Sequence, residues 1–132
     1  MKSISARRPR IHMITDEAEA LTDLAISAEH HMPEVSDLLL TEISRAHLHP
    51  AEKIGSDVVT MGATVTFTDE ASGRSRTVRL VYPAEADIEA GRISILTPIG
   101  AALIGLSDGQ SIVWPDRNGR ERTLTIQQVR RG

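Results

Sequence analysis

The sequence predicts an α+β fold: a short N-terminal antiparallel helical hairpin, then a mostly antiparallel sheet with one short buried helix. Three observations carry this expectation. Two apolar stripes at helical spacing lie on either side of Pro33. Beyond Val58 the pattern changes to Val, Thr and Phe in alternation, as in a half-buried strand. Between Ile93 and Ile112 an apolar extended run breaks at Thr97-Pro98, and an uncharged segment from Ala101 to Leu106 follows, closed by Ser107-Asp108-Gly109.

Taken in order, residues 1 to 9 look frayed, and Arg10 to Ile14 suits a short strand. Thr15 is a candidate N-cap, with Asp16, Glu17 and Glu19 in the first turn, where the helix dipole favours negative charge. Leu21, Leu24, Ala25 and Ala28 recur at i, i+3, i+4 and i+7 and form one stripe. His30-His31-Met32-Pro33 breaks that helix, and Pro33 suits the first position of the next. There Val35, Leu38, Leu39, Ile43 and Ala46 make the matching stripe. Each arm spans about 13 residues, roughly 20 Å by helix rise.

Periodicity is lost after the hairpin, where Pro50 and Gly55 appear, so the chain divides into a hairpin unit over 1–49, a linker over 50–56 and a sheet domain over 57–132. Val58 to Met61 and Ala63 to Thr68 read as strands, Asp69 to Gly73 as a turn and Arg74 to Tyr82 as the return strand. Glu85-Ala86-Asp87 falls in the next connection. Pro98 fixes its own φ and pushes Thr97 toward extended geometry, ending the Ile93 strand. The uncharged helix after it must be buried, so Leu103, Ile104 and Leu106 are core. Gln110 to Trp114 and Arg122 to Val129 form a last hairpin around residues 115–119.

Composition narrows the chemistry. The chain has 132 residues, no cysteine, and one residue each of Phe, Tyr and Trp, so thiolate sites are excluded and a π-lined pocket is not expected. Eight acids and no Lys or Arg lie between Asp16 and Glu42, whereas residues 67–132 hold nine Arg against eight acids. That asymmetry argues against nucleic-acid binding by the first half. With no apolar leader and no window of membrane-spanning length, a soluble, cytoplasmic protein without a membrane partner is expected.

Glu85-Ala86-Asp87, Thr97-Pro98-Ile99-Gly100, Ala102-Leu103-Ile104-Gly105 and Gly109, at these spacings, resemble the C-terminal domain signature of the bacterial transcript-cleavage factors GreA and GreB. Asp57 to Met61 and Leu80 to Ala86 bring the resemblance closer to the Gre relative called regulator of nucleoside diphosphate kinase (Rnk). The resemblance implies an FKBP-like sheet domain that docks at the rim of the secondary channel of RNA polymerase. It also implies a coiled coil entering the channel, with acids at its tip that help hold the metal for RNA hydrolysis.

Under that resemblance Glu85, Asp87, Thr97, Pro98 and Ile99 are the polymerase-binding candidates, and Glu29, Glu34 and Asp37 occupy the hairpin tip. As exposed carboxylates without convergent ligands, the tip acids read as solvated side chains rather than as a metal site. His30, His31, His47 and His49 read as solvated loop histidines. The FKBP-like fold raises peptidyl-prolyl isomerase activity, which scattered aromatics at 67, 82 and 114 do not support. No nucleophile–base pattern or phosphate loop suggests a hydrolase. The expectation is therefore a monomeric non-enzyme with no cofactor. It would bind RNA polymerase, meet DNA only through it, and compete with Gre factors without cleaving RNA, because a 20 Å hairpin is short. The alternatives are an interaction module acting on nucleoside diphosphate kinase, and a transcript-cleavage elongation factor.

Overall fold

The computed structural model describes residues 9–115 and 118–131. Residues 1–8, on which most of the frayed-terminus reading falls, and 116–117, within the last turn, lie outside them. Strand β1 (His12–Ile14) runs directly into helix α1 (Thr15–Ser27), and α2 (Pro33–Arg45) leads to β2 (His47–His49). The larger sheet comprises β3 (Thr64–Asp69), β4 (Arg74–Val81), β5 (Arg92–Ser94), β6 (Ser111–Pro115) and β7 (Glu121–Arg130), with α3 (Pro98–Leu103) between β5 and β6. Helices and sheet are mixed, and the α+β expectation holds.

The five-stranded sheet has the order β5-β4-β3-β7-β6. Its pairs are antiparallel except β4–β5, which is parallel and joined through the 3₁₀ turns Pro83–Glu85 and Ile88–Ala90. A register shift between Thr66 and Phe67 bulges the β3–β7 ladder, which raises the local twist of the central pair. One face carries Val65, Phe67, Val78, Leu80, Leu124 and Ile126 into a core that also takes Leu21, Ala25 and Leu39 from the helices. The helical pair is thus anchored on the sheet. Each fully buried Leu of this kind contributes about 1.5–3 kcal/mol of transfer free energy.

Both apolar stripes face that core. Leu21, Ala25 and Ala28 are buried with Leu24 half-buried, while Leu39 is the buried centre of the second stripe. Two polar side chains on α2 are also buried. Ser36 Oγ donates to the Ala25 carbonyl at 2.8 Å. Glu42 Oε1 accepts from Arg45 Nε and Nη2 at 3.0 and 2.7 Å, and Arg45 Nη1 donates to the Pro9 carbonyl at 2.6 Å.

The structure corrects several local expectations. Thr15 is the first helical residue and not the N-cap, because its hydroxyl donates to the His49 carbonyl. β2 lies where periodicity gave no strand, paired in parallel with β1. Val58 to Met61 is no strand: Val59 exchanges hydrogen bonds with Gly105 and Leu106, and only Val58 and Ser107 form a bridge. The buried helix ends at Leu103 and not at Leu106, while Pro98 takes its first position and Thr97 Oγ1 caps it by accepting from Gly100 N at 3.1 Å.

Two glycines of the 97–109 motif have packing reasons. A Cβ on Gly100 would collide with the Ser94 carbonyl and lie 3.0 Å from Ile95 Cα. Gly105 has φ +85° and would place a Cβ 3.0 Å from Ile11 Cβ, so it suits a left-handed turn in close contact with the chain entering β1.

Candidate functional site

The 83–91 connection and the start of α3 meet over the β3–β4–β5 surface. Asp87 exchanges two 2.9 Å backbone hydrogen bonds with Arg92. Arg92 Nε also donates to the Glu85 carbonyl at 3.0 Å, and its Nη2 lies 3.6 Å from Asp87 Oδ2. The acidic connection is therefore stapled to β5 through one arginine. Asp87 Oδ1 caps the Ile88–Ala90 turn by accepting from Ala90 N, and the Glu85 side chain is exposed.

Beside the staple lies a cleft of about 370 Å³. Phe67, Ile93 and Leu124 form its apolar floor, with Ile88, Ile99 and Trp114 around it. Phe67, Ile93 and Leu124 are buried, whereas Ile88 is 77% exposed. Charge rings the opening. The Arg76 guanidinium lies 5.9 Å from the Phe67 ring centroid, and Arg122 is hydrogen-bonded to the Asp69 carboxylate. That bond holds the Asp69 pKa below the ordinary carboxylate value. Such a cleft accepts an apolar side chain while its rim meets polar or charged groups.

The predicted partner residues divide around this feature. Thr97 and Ile99 line the cleft, with Ala86 and Ile88 from the connection that carries Glu85 and Asp87. Pro98 instead lines a small depression with Leu38 and Glu42 of α2. The Thr97 hydroxyl is committed to the fold, donating to the Ser94 carbonyl at 2.7 Å while it caps α3.

Sequence reasoning missed the aromatic and arginine walls. Phe67 and Trp114 were scattered in sequence, yet they line one cleft. Asp69 and Arg122 are 53 positions apart, and only the antiparallel β3–β7 pairing brings them together.

In the helical pair, Glu29 lies in the turn joining the helices, Glu34 in the first turn of α2 and Asp37 one turn on; all three are exposed. Among the described residues no three His, Cys, Asp or Glu side chains converge as a metal site. His30 and His31 are exposed in the same turn. His47 and His49 are not loop residues: they belong to β2, and His12 Nδ1 lies 2.9 Å from His49 Nε2.

The fold and the cleft define a class, an α+β module with a helical pair seated on a sheet and an apolar, arginine-rimmed surface beside it. Residues 54–131 match the family model for transcription elongation factor GreA/GreB, C-terminal domain. Transcription elongation factor GreA of Azorhizobium caulinodans is 40% identical over 131 residues, covering 93% of this chain and 83% of the relative. GreA of Rhodospirillum rubrum is 38% identical over 125 residues, covering 85% and 77%. A solved structure described as prokaryotic transcription elongation factor GreA/GreB from Nitrosomonas europaea superposes with a TM-score of 0.72 at 37% identity, covering 92% of this chain and 98% of that one. The chain belongs to the GreA/GreB family of transcription elongation factors.

These findings correct two expectations. The reading as a competitor that does not cleave RNA, and the accompanying label of non-enzyme, rested on the short hairpin. Relatives matched over most of their length are named elongation factor GreA, and the resemblance set out above makes GreA a stimulator of RNA cleavage by RNA polymerase, although not an enzyme in its own right. Hairpin length does not separate this chain from the Nitrosomonas factor, which it covers almost end to end. The relatives carry the GreA name rather than that of the regulator of nucleoside diphosphate kinase, so the broader family is what stands. Among the described residues no helix is long and apolar enough to cross a membrane.

Proposed function

We propose that this chain is a transcription elongation factor that binds bacterial RNA polymerase and stimulates cleavage of the nascent RNA. The observation that carries this reading is the match to GreA relatives across both the helical pair and the sheet domain. The FKBP-like sheet domain docks at the polymerase rim. Ile88 and Ile99 at the cleft take an apolar side chain of the polymerase, and Glu85 and Asp87 beside it meet basic groups. The exposure of Ile88 supports this role, since a large apolar side chain left in water at a cleft mouth gains by being covered.

The helical pair then presents Glu29, Glu34 and Asp37 to the interior of the polymerase. Each helix has 13 residues, about 20 Å of length, and its apolar face is committed to the core. What the pair can offer is negative charge at its outer end, in the turn and the start of α2. The acids act on chemistry that the polymerase carries out. The chain works as a monomer in the cytoplasm and reaches DNA only through the polymerase. The Asp57–Met61 and Leu80–Ala86 runs support a place near the regulator of nucleoside diphosphate kinase within the family.

Halted, backtracked elongation complexes test the function. Release of a 3′ RNA fragment that depends on added protein is the expected result. Polymerase binding without any acceleration of release would overturn it.

A further inference from the structure

Three of the five histidines gather where the helical pair joins the rest of the chain. β1 and β2 pair in parallel, with His12 opposite His47 and Ile14 opposite His49. Strand residues alternate faces, so His47 and His49 share a face, and register puts His12 on it too. The His12 ring centroid lies 5.0 Å from that of His49 and 5.6 Å from that of His47. His12 Nδ1 and His49 Nε2 are 2.9 Å apart. In the neutral pair one ring donates its proton to the lone pair of the other, so both nitrogens are directed at the same point.

We propose that His12, His47 and His49 form a binding site for a divalent transition cation of the zinc class. Tetrahedral zinc with bonds of about 2.0–2.1 Å to two imidazole nitrogens holds those nitrogens about 3.3 Å apart, with ring centroids near 5.3 Å. The His12–His49 pair is within a few tenths of an ångström of both spacings. Zinc takes the place of the shared proton, which exchanges through solvent onto the other nitrogen of the donor ring, so that both rings stay neutral and each donates a lone pair to the metal. His47, on the same face, supplies the third nitrogen by a change of rotamer, and water takes the fourth position. The three rings do not yet converge on one point among the described residues, so the site closes as the ion binds. Burial first, then the neighbouring His49, His47 and Arg10, disfavour positive charge on His12, and Asp57 alone favours it, so the ring is held toward the neutral form. Imidazole donors without thiolate or a carboxylate cage suit zinc, nickel or copper and not calcium or magnesium.

The placement gives such an ion a structural consequence. β1 leads straight into α1 and β2 follows α2, so a metal held by His12 and His49 joins positions 37 apart in sequence. It fastens the base of the helical pair while leaving the acids at the far turn untouched. This inference stands apart from any role on RNA polymerase.

Titration of the metal-free full chain with zinc chloride, read by calorimetry and by the melting midpoint, tests the proposal. One zinc per chain and a higher midpoint are expected, with visible bands of tetrahedral geometry when cobalt(II) replaces zinc. His12→Gln and His49→Gln should each weaken binding at least about tenfold and abolish the midpoint shift, and His47→Gln should weaken it less. His30→Gln/His31→Gln should bind as the parent does. Far-UV circular dichroism without metal establishes that each variant is folded, and histidine NMR shifts of the parent identify the ligated rings. Absence of binding at millimolar zinc, or binding that survives His12→Gln and His49→Gln but falls with His30→Gln/His31→Gln, overturns the proposal.

Discussion

Ser36 Oγ donates a 2.8 Å hydrogen bond to the carbonyl of Ala25, tying the first turn of α2 to the last turn of α1 just below the turn that carries Glu29. Ser36 is 2% exposed, so neither partner has water as an alternative. Ser36→Ala should lower the unfolding free energy by about 1 kcal/mol, measured by urea denaturation. An unchanged midpoint would show that the bond does not brace the pair.

Gly100 occupies a position where a Cβ meets the Ser94 carbonyl and the Ile95 backbone. Gly100→Ala should destabilise the chain by about 1–3 kcal/mol through overpacking. A thermal melt within error of the parent would contradict that geometry.

Glu17 gives a pH signature. Burial raises its pKa above the ordinary carboxylate value, against the hydrogen bond from Met61 N and the charge of Arg131. A folded pKa above the unfolded one stabilises below the unfolded pKa of about 4.3, and that contribution is lost as pH rises through the folded value. Glu17→Gln keeps an oxygen for Met61 N but removes the charge. Its stability relative to the parent should therefore rise between pH 4 and pH 7. A stability difference independent of pH would refute the assignment.

Ile88 is highly exposed at the cleft and carries no load in the core. Ile88→Asp should leave the melting midpoint unchanged while weakening affinity for RNA polymerase about tenfold. Equal affinity would remove the cleft from the docking surface.

Much of the architecture was legible because it is written in local periodicity. The stripes through Leu21, Ala25 and Leu39 and the alternation around Val65 and Phe67 need no distant partner to be recognised. β2 was illegible: a three-residue strand has no period, and its partner is β1, beyond both helices. Val58 to Met61 misled for the opposite reason, since β-branched residues suit any buried extended segment, ladder or not. The cleft was half legible. The Thr97-Pro98 turn and the acidic connection show in sequence, whereas Phe67, Trp114 and the Asp69–Arg122 pair meet only through strand register. The His12–His49 contact was hidden in the same way.

RNA cleavage in backtracked elongation complexes, compared between the parent and Glu29→Gln/Glu34→Gln at saturating protein, reads the action of the tip acids on the polymerase itself. Both acids are exposed, so the double variant should fold and bind polymerase as the parent does. Cleavage at least about tenfold faster than with polymerase alone is expected for the parent, with most of that gain lost in the variant. Parent protein that occupies the polymerase yet leaves the cleavage rate unchanged would contradict it.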